Sequence, residues 1–280
     1  MTESFSMARS PLSPTALRLS RMATLLACTA LLSACASKPS EVISLIPADQ
    51  VDAQTRKDGL FSQPVKFERK KPECSGECAS LKVESLAFPG NGTLTQLVDH
   101  ALATMTGTGD STPQAYQTIA EFEAHYWRTA APRDEVILEA KTVYRNRNLT
   151  VLELNSYQYF TGAAHGISAT QYLNWDNQRK RVLSLDDVLA PGGRETYLQA
   201  LRQAHAAWLA GNKEAQEDPA GYRRLWPFQA SDNFALTDKG VVVKYDAYAL
   251  APYSAGQPEL RIPYSALRSA LRPEFVPAAS

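Results

Sequence analysis

The side chain best placed for chemistry in this sequence is the imidazole of His165. It lies in the stretch Gly-Ala-Ala-His-Gly at 162–166, where small residues would let a ligand approach the backbone closely. An imidazole there could hydrogen-bond a sugar hydroxyl or the carboxylate of a partner. The same ring could instead cap carbonyl groups at the end of a strand and fix the loop. The sequence leaves both roles open.

Three tyrosines later in the chain are a second set of candidates. Tyr245, Tyr248 and Tyr253 could form an aromatic platform for sugar rings, since tyrosine combines an apolar face with a polar tip. They could equally be core and corner residues whose hydroxyls hold the bend at Ala251 and Pro252. The sequence favours neither role over the other.

A cysteine near the start of the chain has the setting of a lipid acceptor. Basic residues lead into an apolar run at 22–32, which is shorter than the roughly 20 residues that a membrane-spanning helix needs. Small residues then precede Cys35 in the order Leu-Ser-Ala-Cys, and a positive, apolar and small-residue succession is that of a secretory signal. The tetrapeptide resembles the lipobox of bacterial lipoproteins, whose cysteine thiol receives a diacylglycerol. We predict a signal peptide at 1–34 and acyl lipid such as palmitate on Cys35; a plain signal peptide with a chance cysteine is the alternative.

The residues after Cys35 indicate where the protein would be held. Ala36 and Ser37 include no aspartate, as in lipoproteins that are sorted to the outer membrane of bacteria with two membranes. We therefore expect an outer-membrane lipoprotein whose folded part faces the periplasm or the cell surface. Residues 35–60 are largely polar and contain two prolines, which is typical of a flexible tether. One folded domain is expected at 61–280.

The charge balance argues against one class of partner. Residues 35–280 carry 26 lysines and arginines and 28 aspartates and glutamates, a net charge of about −2. No basic stripe is present for nucleic acid to bind. The expected contacts are the membrane, through the lipid, and a ligand outside the cytoplasm.

The two remaining cysteines suit an oxidising compartment. Cys28 would leave with the signal peptide, so Cys74 and Cys78 are a lone pair with the spacing Cys-x-x-x-Cys. In an exported protein such a pair predicts a disulfide. A metal site is the alternative, but it would need two further ligands that no nearby residue supplies.

No sequence pattern supports catalysis, a metal site or a cofactor. A Gly-x-Ser-x-Gly elbow is absent, and no free cysteine would remain for a Cys–His pair. The other histidines, His100, His125 and His205, lie on predicted helices without the spacing of zinc ligands. We expect no catalytic residues, no bound metal and no cofactor.

Hydrophobic periodicity predicts an α+β fold, with an antiparallel sheet (a meander plus a C-terminal hairpin) packed against helices. The predicted strands are 81–88, 135–144, 149–160, 167–175, 234–237, 241–245 and 259–263. The predicted helices are at about 94–106, 113–129, 194–210 and 265–271.

Two stretches, 157–166 and 243–264, carry a family resemblance. Together they resemble the domain shared by RsiV-type lysozyme-sensing anti-sigma factors and the N-terminal part of PdaC-type peptidoglycan deacetylases. The family has a Tyr-x-Tyr-Thr-Gly-Gly-Ala-His-Gly loop, an Asn-x-Asp turn and a Tyr-x-x-Tyr-x-Ile-Ala-Pro-Tyr-Ala-x-Gly loop. The matching residues are Tyr157, Thr161, Gly162, Ala164, His165, Gly166, Asn174, Asp176, Tyr245, Tyr248, Ala251, Pro252, Tyr253 and Gly256. Ala163 and Leu250 depart from the pattern, and the resemblance covers roughly 81–271.

The resemblance implies a binding module of the cell envelope that lacks a deacetylase catalytic domain. We expect it to recognise a lysozyme-like protein or peptidoglycan without catalysis of its own. An envelope structural or assembly lipoprotein is the alternative, and a cell-wall hydrolase or accessory enzyme comes third. The two loops should lie side by side at one end of the sheet. The candidate binding residues are Tyr159, Thr161, Gly162, His165, Gly166, Tyr248, Tyr253 and Gly256.

Overall fold

The structure is a computed structural model, and it describes residues 48–107 and 116–277 of the 280-residue chain. The predicted signal peptide, Cys35 and the first part of the expected tether lie outside these ranges. The described helices are α1 (Ala48–Asp58), α2 (Gly92–Thr104), α3 (Ile119–Thr129), α4 (Leu185–Val188), α5 (Gly193–Ala210), α6 (Lys213–Glu217), α7 (Pro219–Leu225) and α8 (Tyr264–Leu267). The described strands are β1 (Gln63–Lys70), β2 (Ser80–Ala87), β3 (Glu135–Arg145), β4 (Leu149–Tyr159), β5 (Ile167–Asp176), β6 (Arg181–Leu183), β7 (Phe234–Leu236), β8 (Gly240–Lys244) and β9 (Glu259–Pro263).

The larger sheet has six strands in the order β1-β2-β3-β4-β5-β6. The α+β class is confirmed, and so is the antiparallel meander of β3, β4, β5 and β6. The expectation that the whole sheet is antiparallel is wrong at one place, because β2 and β3 pair in parallel. The reason lies in their connection. Parallel neighbours need a long crossover instead of a tight turn, and α2 and α3 form that crossover. The other neighbouring pairs are antiparallel.

Apolar and polar side chains alternate along the strands, so this sheet has one apolar face and one polar face. In β4, Leu152 and Leu154 point to one side and are fully buried, while Glu153 and Asn155 point to the other. The apolar side packs under α2 and α3 and forms a core with apolar residues of those helices. The opposite side carries polar side chains, and these form the floor of the region described below.

The smaller sheet has the order β7-β8-β9 and is antiparallel throughout. It forms a second core with α5, whose observed bounds agree with the helix expected at 194–210. Tyr197 of α5 is completely buried there, and its hydroxyl donates to the carbonyl of Ser231. The described residues all belong to one compact unit.

Side chains join the two sheets along β5. Strand β6 pairs only with the last three residues of β5, Asn174–Asp176, so the backbone groups before them need other partners. Asn233 accepts from Tyr172 N at 2.6 Å and donates to Thr170 O at 3.0 Å. Asp246 accepts from Thr170 N at 2.7 Å. These bonds hold the residue before β7 and the loop after β8 beside the middle of β5.

Two of the predicted helices have different bounds. The helix expected at 113–129 begins at Ile119, because Thr118 is extended and its side chain accepts from Glu121 N at 3.1 Å; a capping side chain there fixes the first turn. The helix expected at 265–271 ends at Leu267. Beyond it the chain pairs with 188–190 instead, where Ala190 N donates to Ala270 O at 2.8 Å.

The expected tether at 35–60 is wrong over its last part, since Ala48–Asp58 is the helix α1. Strand β1 was not expected at all. Half of its eight residues are charged and most are exposed, but it pairs with β2 over its whole length. The structure joins Cys74 and Cys78 in a disulfide within the β1–β2 connection. Among the described residues, no helix has both the length and the apolar character to cross a bilayer.

Candidate functional site

The two loops that the sequence singles out meet in the structure. The Nε2 atom of His165 lies 3.0 Å from the Tyr248 hydroxyl. The His165 ring stacks on the Tyr253 ring, with centroids 3.9 Å apart and planes 20° from parallel. The expected side-by-side placement of the loops is therefore confirmed, and we call these three rings the aromatic cluster.

The loop that carries His165 is tied to its neighbours by Thr161. The Thr161 amide donates to Asp134 Oδ1 at 2.7 Å, and its hydroxyl donates to the carbonyl of Pro132. Gly162 has a φ of +92°, a left-handed conformation that glycine adopts without strain. Both residues shape the loop, and Tyr159 ends the strand that leads into it.

Gly166 allows the closest packing in the site. A Cβ atom at this position would lie 2.3 Å from the ring of Tyr157, well inside van der Waals contact. The backbone that follows His165 therefore rests directly on an aromatic ring of β4. Neither Gly166 nor Gly162 presents a side chain to a ligand, so their contribution is to the shape of the loop.

The second loop leaves β8 and holds Tyr248 in an unusual conformation. Tyr248 has a φ of +69° and a side chain that is 50 % exposed. A bulky residue in the left-handed region costs conformational energy, and such residues are concentrated at functional sites. The loop is braced by Asp246, which accepts from Thr170 N, and by Gln229, which donates to Ala249 O at 2.9 Å. Gly256 has a φ of +68°, so it provides the turn toward β9.

The hydrogen bonds of His165 define the role of each ring nitrogen. Nδ1 lies 3.0 Å from the Gly166 carbonyl oxygen, which can only accept, so Nδ1 carries a hydrogen. In the neutral ring, Nε2 is then the acceptor and the Tyr248 hydroxyl is the donor. Both nitrogens are engaged within the protein, while the ring itself remains exposed. This geometry suits contact through ring faces better than proton transfer.

The three tyrosines divide between the two roles that the sequence left open. Tyr245 is buried, and its hydroxyl donates to Gln229 O at 2.7 Å; burial raises the pKa of that hydroxyl. Tyr245 is thus a core and corner residue. Tyr248 is exposed and Tyr253 half-buried, so these two can present ring surface to a ligand.

Sequence reasoning missed Trp226, which follows α7 and extends the aromatic surface. Its ring lies 6.3 Å from that of Tyr248, with planes 29° apart. No spacing rule connects position 226 with 248, since the contact depends on how the segment after α7 folds back. In the described ranges, no group of three or more histidine, cysteine, aspartate or glutamate side chains is arranged to hold a metal ion.

Comparison with known proteins places the chain in a family. Residues 186–265 match the family model described as "Protein of unknown function (DUF3298)". A crystal structure of a DUF3298 family protein from Pseudomonas aeruginosa PAO1 is 36 % identical in sequence with a TM-score of 0.72, and the match covers 80 % of this chain and 99 % of that one. The chain belongs to the DUF3298 family.

Two further relatives are more distant from this DUF3298 protein. A family member from Bacteroides fragilis NCTC 9343 is 22 % identical with a TM-score of 0.61, covering 79 % of this chain and 97 % of that one, and shares the fold. Peptidoglycan-N-acetylmuramic acid deacetylase PdaC of Bacillus subtilis (strain 168) is 24 % identical over 149 residues. That match covers 52 % of this chain and 31 % of PdaC, so the chain spans about a third of this relative. The expected relation to PdaC is confirmed.

The segment that matches the family model contains only part of the candidate site. The matched segment 186–265 includes Tyr248, Tyr253 and Trp226. His165 lies outside it, on the loop before β5. In this DUF3298 protein the aromatic cluster therefore forms where the matched segment meets the larger sheet.

Proposed function

We propose that this protein is a lipid-anchored binding module outside the cytoplasm, which recognises peptidoglycan through the aromatic cluster without catalysis of its own. The observation that carries the proposal is the stack of His165 on Tyr253 beside the exposed ring of Tyr248. Sugar rings bind to such surfaces because aromatic faces offer large apolar area and tyrosine adds a polar tip.

Two further observations support the proposal. The Leu-Ser-Ala-Cys order at Cys35 favours export and lipid attachment, although it lies outside the described residues. PdaC is named for peptidoglycan, which favours a cell-wall ligand over an unrelated one. A binding role also accords with His165, whose two nitrogens are both hydrogen-bonded inside the protein.

The test is a sedimentation assay with purified insoluble peptidoglycan and the full chain in detergent. We expect Tyr253→Ala and His165→Ala each to weaken binding about tenfold, the effect of losing one well-packed aromatic contact. Their melting temperatures should stay close to that of the unchanged protein. Phe67→Ala is the matched control, because Phe67 is also a half-buried aromatic ring but packs on the helix-covered side of the sheet.

Three outcomes would contradict the proposal. If melting temperature falls and binding falls only with the folded fraction, the rings brace the fold and do not bind. If the protein binds c-type lysozyme in a parallel assay and not peptidoglycan, the ligand is a protein. If it binds neither, an envelope structural role replaces recognition.

A further inference from the structure

A cavity of about 290 Å³ lies on the polar side of the larger sheet. Its floor is formed by β3, β4 and the start of β5, and Lys244 and Gln257 line it from the smaller sheet and the loop before β9. None of the sequence patterns pointed to it. Its polar lining makes it a place for a charged or hydrogen-bonding group.

The centre of this cavity is the buried carboxylate of Glu153. Its Oε1 atom accepts from Lys244 Nζ at 2.8 Å, Lys141 Nζ at 3.1 Å and Asn155 Nδ2 at 3.1 Å. Burial alone would raise the pKa of Glu153, but these hydrogen bonds outweigh burial and lower it. Glu153 is therefore a charged carboxylate with three donors on one of its oxygens.

The two lysines on this carboxylate are not equivalent. The Lys244 side chain is 12 % exposed, whereas that of Lys141 is 57 % exposed. If Lys141 turned away, Lys244 and Asn155 would still pair with Glu153, so no buried charge would be left alone. Glu139 also lines the cavity. Its charge acts on Lys82 of the neighbouring strand. The pKa of Lys82 is raised mainly by Glu84 and, to a lesser extent, by Glu139. Lys141 is thus the cation that a ligand can recruit.

Asn155 supplies an independent sign of an incomplete site. Its Oδ1 atom is buried and has no hydrogen-bond partner among the described residues. The amide cannot be turned over to remove the problem, because Nδ2 is the atom that donates to Glu153. A buried acceptor without a partner is unusual, and a ligand hydroxyl or amide would satisfy it.

The cavity adjoins the aromatic cluster through Tyr157. This residue lines the cavity, and its ring lies directly under Gly166, next to His165. A ligand whose sugar ring contacts His165 and Tyr253 could therefore place a neighbouring substituent over Tyr157 and into the cavity.

We propose that this cavity is an anion subsite, in which Lys141 turns from Glu153 to bind a carboxylate of the ligand. The inference rests on the proposed function, because it takes the aromatic cluster to hold the adjoining sugar. Lys244 keeps the charge of Glu153 neutralised and Asn155 keeps its hydrogen bond to it, while Asn155 Oδ1 accepts from a hydroxyl or amide of the ligand beside the carboxylate. The recognised substituent is a carboxylate on the sugar, such as the lactyl ether of N-acetylmuramic acid.

Two soluble probes of equal length test this subsite by calorimetry with the full chain in detergent. One is the tetramer of N-acetylglucosamine, which is neutral. The other alternates N-acetylglucosamine with N-acetylmuramic acid, which adds lactyl carboxylates. We expect the unchanged protein to prefer the second probe about fivefold, as one partly exposed ion pair would provide. Lys141→Met should abolish the preference and leave binding of the neutral probe unchanged.

Lys82→Met is the matched control. Lys82 lies on the same side of the sheet and pairs with Glu84, but it does not line the cavity, so its loss should keep the preference. Lys141→Arg should keep it too. Equal affinity of the unchanged protein for both probes, or a preference that survives Lys141→Met, would overturn the subsite while leaving the aromatic cluster as a binding site. Failure of both probes to bind would overturn the proposed function and the subsite together.

Discussion

His205 shows what burial does to a single titratable residue in this fold. It lies on α5, is 6 % exposed, and packs against the rings of Trp208 and Phe228. Its Nε2 atom has no hydrogen-bond partner in the part of the chain that the structure describes. Burial, and then the charge of Arg223, lower the pKa of His205 below its ordinary value of about 6.5. The folded protein therefore favours the neutral ring.

This residue makes folding depend on pH. In the unfolded chain His205 takes up a proton near pH 6.5, whereas in the folded chain it does so only at lower pH. Its contribution to stability is thus complete above pH 6.5 and is lost as pH falls below that value. We expect His205→Phe to lose less stability between pH 7 and pH 5 than the unchanged protein, as measured by urea unfolding at both values. An identical loss in both proteins would show that other groups cause the acid sensitivity.

At the residue scale, the sequence identifies the site only in part. Short motifs point to His165, Tyr248 and Tyr253 because each lies in a local pattern of small residues and rings. Trp226 and Glu153 carry no such pattern. Glu153 alternates with Leu152 and Leu154 as any strand residue on a polar side would, and its buried partner Lys244 lies 91 positions later in the chain.

Among the elements, the contact between β5 and the smaller sheet is unusual, because side chains instead of a strand backbone pair with β5. We call this contact the seam. Asn233 makes three hydrogen bonds there, from Tyr172 N and to the carbonyls of Thr170 and Lys244. The Asn233 side chain bonds to backbone groups that a neighbouring strand would otherwise pair with. Asn233→Ala should therefore leave partly buried polar groups without partners. We expect a loss of at least about 2 kcal/mol in the free energy of unfolding, measured with urea.

Asn233→Asp tests the donated bonds of this seam. It keeps the acceptor for Tyr172 N but sets a carboxylate oxygen against the carbonyls of Thr170 and Lys244, so its stability should be no higher than that of Asn233→Ala. Equal stability of all three proteins would mean that water replaces these bonds at no cost.

Periodicity predicts elements well where one face is apolar, and poorly elsewhere. The strands β3, β4 and β5 and the helices α2 and α5 have clear apolar faces, and their expected positions agree with the structure. Strand β1 was missed because half of its residues are charged, it has no clear apolar face, and it is paired along its length with β2. The parallel pairing of β2 with β3 was missed for a related reason, since strand order depends on how α2 and α3 cross the sheet.

For the whole molecule, the main prediction concerns attachment. The leader and the Leu-Ser-Ala-Cys order predict that Cys35, which lies outside the described residues, carries acyl lipid. We expect Cys35→Ser to yield a lipid-free protein that is released or left unprocessed. Two acyl chains give stable anchoring, so the unchanged protein should stay with the membrane fraction. Intact mass measurement checks the acyl groups and membrane fractionation checks the location; cleavage elsewhere without an acyl mass would contradict the prediction.

The seam along β5 also matters for solubility. Without residues 233–246, the backbone groups of β5 from Thr170 to Tyr172 would lie open at the edge of a six-stranded sheet. An open edge is a template on which a strand of another molecule can add, and chains then aggregate by growing one sheet. Asn233 and Asp246 prevent this by occupying the edge with side chains that cannot propagate it. The segment that positions Tyr248 therefore also covers this open stretch of the sheet edge.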